Sequence, residues 1–160
     1  MTLSQFNEIW ASTAYPPKPV AEADLRHVET CLSVRLPDDY RRAVLEVGLP
    51  RPTIALLDAI AERELMLRCL GGFYSSTEMI EETISWRKIG MPERLVAFAS
   101  DVSGNTFCFD ADGLMNGRPE GSAIWFFDHG SGAVERIAEN FDQWIAAFCQ
   151  VEPWRETGAT

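Results

Sequence analysis

The sequence reads as a mixture of helices and short strands, and two stretches of it carry that reading. Leu95–Asp110 reads as a β-hairpin. Leu95, Ala97 and Ala99 alternate with Val96, Phe98 and Ser100, and Phe107 and Phe109 share a face at period two. Between the two runs lies Asp101–Asn105, where Gly104-Asn105 supplies the positive-φ residues of a tight reversal. Near the C-terminus, Phe141, Trp144, Ile145 and Phe148 follow the helical period, with Asn140 at the cap and Gln143 three residues on. At 160 residues with 46% apolar content, the chain is long enough for one domain with a sizeable core.

The remaining elements follow in order. Leu3–Trp10 places Phe6, Ile9 and Trp10 on one side of a short helix. Tyr15-Pro16-Pro17-Lys18-Pro19 then makes a stiff extended connection, because proline fixes φ and lacks an N–H. Val20–Leu32 is an amphipathic helix with Leu25, Val28 and Leu32 on its stripe. Leu36-Pro37-Asp38-Asp39-Tyr40 opens the next helix, with proline in the first turn and carboxylates at the positive end of the dipole. Gly48 ends it, and Pro50 and Pro52 block its extension. Within Thr53–Tyr74, Thr53–Ala61 and Glu64–Leu70 fit either two strands around Glu62-Arg63 or a helix followed by a strand. Ser75 and Glu78 form a capping box for a helix running to about Lys88. A glycine-rich loop spans Asp112–Gly121. Ala123–Phe127 and Ala133–Ile137 are strands around the turn Asp128–Gly132. The organisation is therefore an N-terminal helix and proline-rich connection over 1–19, a domain over 20–151, and a frayed tail over 152–160. The periodicities send Leu36, Tyr40, Val44, Phe98, Phe107, Phe109, Trp125, Phe127, Trp144 and Phe148 into one core.

Composition bounds function. The net charge of −10 argues against nucleic-acid binding, which needs a basic footprint. Most of the acidic excess lies in residues 81–160, where it serves solubility or steers a basic partner. No run approaches the roughly 18 apolar residues of a membrane span, and the N-terminus lacks a secretory pattern, so a cytoplasmic protein is expected. Cys31, Cys69, Cys108 and Cys149 are spaced without a CxxC and without His at metal spacing. They read as small buried or half-buried thiols, with neither a metal nor a disulfide framework expected.

Three constellations bear on chemistry. From Asp101 to Asp112 the outline resembles a calcium loop. Its sixth and twelfth positions, however, are Thr106 and Asp112 rather than glycine and a bidentate glutamate, and calcium binding is not expected. Cys108, His129 and Asp128 supply the residue types of a nucleophile, a base and an orienter, but in a Phe-rich strand a cysteine is usually packing. Asp101, Asp110, Asp112, Glu120 and Asp128 fall in or beside loops, offset only by Arg118, and are the candidate partner-binding residues. Strand termination is the simpler explanation of the same residues. No phosphate loop, dinucleotide fingerprint, zinc-protease or nucleophile-elbow motif is present, so no catalytic residue and no cofactor is assigned.

The order of elements resembles a known family. It runs from Leu36-Pro37-Asp38-Asp39-Tyr40 through Gly71-Gly72 and the Leu95–Asp110 hairpin. Ile124-Trp125-Phe126-Phe127-Asp128-His129 and then Ile137 to Ile145 complete it. Over roughly Val20–Val151 this pattern resembles the SUKH superfamily, which includes a fungal cell-wall-assembly regulator and many bacterial immunity proteins. The resemblance implies an α+β fold, a single domain with a central, largely antiparallel sheet and helices packed against it. It also implies a non-enzymatic role, the neutralisation of a cognate toxin by stoichiometric binding. A regulatory or scaffold domain of the same fold and, from another class, a hydrolase using Cys108 and His129 are the alternatives. Two turns depart from the family pattern. Ser33-Val34-Arg35 stands where a glycine is usual before Leu-Pro, and Gly48-Leu49-Pro50 where two glycines are usual after the Tyr40 helix.

Overall fold

The computed structural model describes residues 2–11, 14–62, 68–112 and 123–151. Four helices come first: α1 (Thr2–Trp10), α2 (Glu22–Leu32), α3 (Asp38–Val47) and α4 (Ile54–Glu62). Strand β1 (Leu70–Phe73) and helix α5 (Ser76–Lys88) follow, then β2 (Leu95–Asp101), β3 (Thr106–Asp110), β4 (Ile124–Phe127), β5 (Val134–Ala138) and α6 (Phe141–Cys149). The five strands form one sheet in the order β1-β2-β3-β4-β5, and every neighbouring pair is antiparallel. The fold is α+β; the first of the two open pieces is helical, as α4, while residues 64–67 of the second lie outside the described residues and β1 begins at its last residue, Leu70.

Local chemistry sets the helix ends. Ser75 Oγ accepts the Glu78 N–H at 3.2 Å and Glu78 Oε1 accepts the Ser75 N–H at 3.0 Å, the reciprocal box anticipated. Asn140 Oδ1 accepts the Gln143 N–H at 2.8 Å. Pro37 caps α3 from extended backbone, and Gly48 closes it at φ +91°. Gly48 is required twice over, because a Cβ there would sit 2.6 Å from the Lys18 carbonyl oxygen.

Ser33 closes α2 in a left-handed conformation, φ 53°, the only non-glycine positive φ among the described residues. The Val34 N–H reaches the Glu29 carbonyl and the Ser33 N–H that of Thr30, which is the Schellman pattern. This is the turn where the family resemblance leads one to expect glycine. Ser33→Gly should therefore stabilise the chain by about 0.5–1 kcal/mol in urea denaturation, since the strain relieved exceeds the backbone freedom gained on unfolding. A loss of stability would show that the Ser33 conformation is not strained.

The sheet is covered on both faces. Phe107 and Phe109 pair with Phe126 and Ile124 and point to one side; Cys108 and Thr106 pair with Trp125 and Phe127 and point to the other. On the first side Tyr40 of α3 and Trp144 of α6 close over the strands. Tyr40 lies 5.0 Å from Phe109, and Trp144 lies 4.8 Å from Phe107 and 5.3 Å from Phe98, ring to ring. Helix α1 lies against α6, where Trp10 Nε1–H donates to the Phe148 carbonyl at 2.9 Å. On the second side α5 crosses the sheet, with Trp86 edge-on to Phe127 at 6.1 Å. Of the ten residues expected in the core, Trp125 alone is half-buried, and all ten join one cluster. Trp125 and Phe127 differ from the others in facing α5, as strand alternation requires.

One irregularity changes the reading of β2. Ala97 pairs with Cys108 but Ala99 pairs with Phe107, so β2 carries one extra residue and alternation inverts across it. Phe98 thereby stacks flat on Phe109, with centroids 4.0 Å apart and planes at 7°. Ser100 turns to the opposite side, across from Thr106. The Ala97 N–H at the bulge is satisfied by Thr83 Oγ1 of α5 at 3.0 Å, which accounts for a fully buried threonine.

Candidate functional site

The turns that follow β2 and β4 lie side by side at one end of the sheet, because Thr106 at the start of β3 pairs with Phe127 at the end of β4. Each turn is built by an aspartate. Asp101 Oδ1 accepts the N–H groups of Ser103 and Asn105 at 2.9 and 2.8 Å, and its Oδ2 accepts from Asn105 Nδ2 at 3.1 Å. Asp128 Oδ1 accepts the N–H groups of Gly130 and Ser131 at 2.9 and 3.3 Å. Gly104 and Gly132 take the positive φ angles of these turns, +88° and +75°.

Asn105 joins the two turns. Its side-chain oxygen accepts the His129 backbone N–H at 3.1 Å and lies 2.6 Å from His129 Nδ1, which therefore carries a proton. The His129 ring rests 5.3 Å from that of Trp86, whose indole N–H donates to Glu82 at 3.0 Å. This end of the sheet is a clasp of fixed side chains presenting Asp101, Asp128 and Glu82. The sequence reading treated Asn105 only as a turn residue and missed its grip on His129. A long-range hydrogen bond leaves no local sequence signal.

Asp110 and Asp112 are elsewhere. Asp110 pairs with Leu95 at the other end of β3, roughly 13 Å along the strand from Thr106. Its carboxylate is largely buried and accepts from Arg94 Nη1 at 3.1 Å. Arg94 in turn lies over the Trp125 ring, 4.6 Å from its centroid. Asp112 is exposed just beyond. Glu120 and Arg118 lie outside the described residues, as does most of the Asp112–Gly121 loop. The candidate acidic residues thus divide between two ends of the sheet rather than forming one edge.

The cysteine constellation does not assemble. Cys108 is fully buried between Thr106 Oγ1 at 3.5 Å and Met91 Sδ at 3.9 Å, and burial pushes its thiol up to about 12 despite the opposing Thr106 contact. His129 is engaged with Asn105, and no hydrogen bond links it to Cys108 among the described residues. Burial holds this thiol neutral, and among the described residues no hydrogen bond ties it to a base. Of the calcium-loop outline, Phe107 and Phe109 sit in β3, and both oxygens of Asp101 accept hydrogen bonds within its own turn. No three His, Cys, Asp or Glu converge on a metal position among the described residues.

All four cysteines are free thiols. Cys31 corrects the reading of four buried or half-buried thiols: it is exposed on α2, at the flank of the Leu25, Val28 and Leu32 stripe and one turn from His27. Asp39 has a structural task beyond its own helix start. Its Oδ2 accepts the N–H groups of Phe141 and Asp142 at 3.0 and 3.4 Å, so α3 caps the first turn of α6. Burial raises its carboxyl above the usual range, with those N–H bonds opposing the shift.

The chain is thus an antiparallel meander sheathed by helices on both faces, with a turn clasp held by side-chain hydrogen bonds at one end of the sheet. The profile of the SMI1/KNR4 family (SUKH-1) matches residues 19–147, and the chain belongs to that family. The chain has no significant match among curated proteins. No helix among the described residues is long and apolar enough to cross a membrane.

Proposed function

We propose that this protein is an immunity-type binding module that neutralises a cognate toxin in the cytoplasm by stoichiometric contact through the Asp101–Asp128 turn clasp. Family membership is the observation that carries the reading. The −10 charge and the side-chain hydrogen bonds that hold the clasp support it. A toxin acting on nucleic acid or nucleotides presents a basic cleft, and a preorganised acidic turn end enters such a cleft with little ordering cost. Of the five acidic candidates, Asp101 and Asp128 fit this role together, with Glu82 in place of the distant Asp110 and Asp112.

The test is association kinetics with the toxin encoded beside the gene. Asp128→Asn with Glu82→Gln keeps the hydrogen-bond acceptors and removes two charges, so the fold should be retained. This pair should slow association several-fold at low salt and lose that effect at high salt. Asp110→Asn with Asp112→Asn should leave the rate unchanged. Equal effects from both pairs, or none from the first, would move the interface away from the clasp.

A further inference from the structure

The sheet has a second feature, at its opposite margin, that the proposed function does not use. Among the described residues strand β1 pairs only with β2, and Gly71, Gly72 and Phe73 line a cleft of about 260 Å³ together with the segment Leu49–Pro52. That segment does not pair with β1. Leu49 exchanges both of its main-chain bonds with Lys18, at 3.0 and 2.8 Å, and Pro52 bridges to Ala11. Pro50 and Pro52 have no N–H to offer a strand. The cleft continues into a neighbouring cavity of about 230 Å³, with Lys18, Leu49 and Ser75 lining both.

Among the described residues nothing pairs with the outer edge of β1, where Gly71 is exposed and Gly72 and Phe73 are half-buried. Gly71 and Gly72 carry no side chains there, and a Cβ on Gly72 would meet nothing within 4 Å. Gly71 is fixed by a different need: a Cβ there would lie 2.7 Å from the Asp101 carbonyl oxygen, at the bulge where β1 meets β2. Edge strands are ordinarily blunted by lysine, proline or a covering element, and Gly71-Gly72-Phe73 has neither of those residues.

The cleft itself is lined by two cations, Lys18 and Arg51, and one carboxylate, Glu78, so it is locally positive in a chain of net charge −10. Lys18 and Arg51 are exposed, and among the described residues neither has a carboxylate within ion-pair distance. Arg51 is held over the Tyr15 ring, 4.5 Å from its centroid. Glu78 in the cleft and Asp24 in the neighbouring cavity accept the Ser75 and Ala21 N–H groups at helix starts and keep their charges. In a protein of net charge −10, two unmatched cations flanking an open strand edge select for an acidic ligand.

We infer that the cleft between β1 and Leu49–Pro52 docks an extended acidic segment of a partner protein, which adds to β1 as a further strand. Main-chain pairing supplies the affinity, and Lys18 and Arg51 select acidic side chains. The site is independent of the turn clasp, so failure of either leaves the other standing.

The experiment titrates the full chain, isotopically labelled, with a capped peptide of about eight residues alternating valine and glutamate, and with a valine–lysine peptide as control. The expected result is saturable amide shifts at Gly71, Gly72, Phe73, Lys18 and Arg51 with the glutamate peptide only. Lys18→Glu with Arg51→Glu should weaken that binding at least about tenfold without lowering the melting temperature, since both side chains are exposed. Equal binding of the lysine peptide, shifts centred on β5 instead, or no shift up to about 1 mM would overturn the proposal.

Discussion

Phe109→Ala is expected to destabilise the protein by about 3–5 kcal/mol, with Trp144→Ala close behind. Phe109 is 1% exposed and stacked flat on Phe98, with Tyr40 edge-on above it. Three elements meet at this ring: β2 through Phe98, β3 through Phe109 itself and α3 through Tyr40. Its loss cannot be filled by a local shift. Strand β3 is paired on both sides, and Tyr40 is locked among Phe98, Phe109 and Phe141. The cavity therefore stays open, and the cost falls toward the upper part of the range for buried aromatics. Trp144 touches Phe73, Phe98, Phe107 and Phe141 and ties α6 to three strands, although its rim is slightly more exposed. Phe98→Ala combined with Phe109→Ala should cost less than the two singles added, because each removes the other's stacking partner. Urea melts measure all three. A loss below about 1 kcal/mol for either single variant would mean that this cluster is not the centre of the core.

Much of that core was legible because its signals are local. Capping at Ser75 and Asn140, the Leu-Pro-Asp-Asp-Tyr helix start and the Gly104-Asn105 reversal each depend on residues within a few positions of one another. The same locality explains what was hidden. Helix α4 and β1 lie in a stretch where alanines favour helix and Gly71-Gly72 favours extension, so only packing decides between them. The β2 bulge inserts a residue without any sequence mark, and its partner Thr83 lies on another element. The division of the acidic residues could have been anticipated from the hairpin. A reversal at Gly104 that pairs Leu95 with Asp110 must put Asp101 and Asp110 at opposite ends of β3. Loop membership suggested one acidic edge, whereas strand length dictates two. Burial of Cys108 likewise follows from a sheet covered on both faces, a tertiary property that strand periodicity alone does not reveal.

Trp10→Ala is the second large effect expected, about 3–5 kcal/mol, and it bears on where the functional unit begins. The family match starts at residue 19, yet α1 precedes it and is built into the same core. Trp10 is 1% exposed, its indole N–H donates to the Phe148 carbonyl, and its own carbonyl accepts the Thr53 N–H at 2.9 Å. Phe6 packs edge-on to both Phe73 and Phe148. Without α1 these faces of α6 and β1 would meet water. Trp10→Phe separates the contributions. It keeps most of the apolar area, and the Phe148 carbonyl still receives the Val151 N–H at 3.2 Å, so the lost indole bond and volume should cost only about 1–2 kcal/mol. A single cooperative transition for wild type, shifted to lower urea by Trp10→Ala with its slope unchanged, would show α1 unfolding together with the sheet. If Trp10→Ala instead costs less than about 1 kcal/mol, α1 is an appendage and residues 19–147 carry the stability alone.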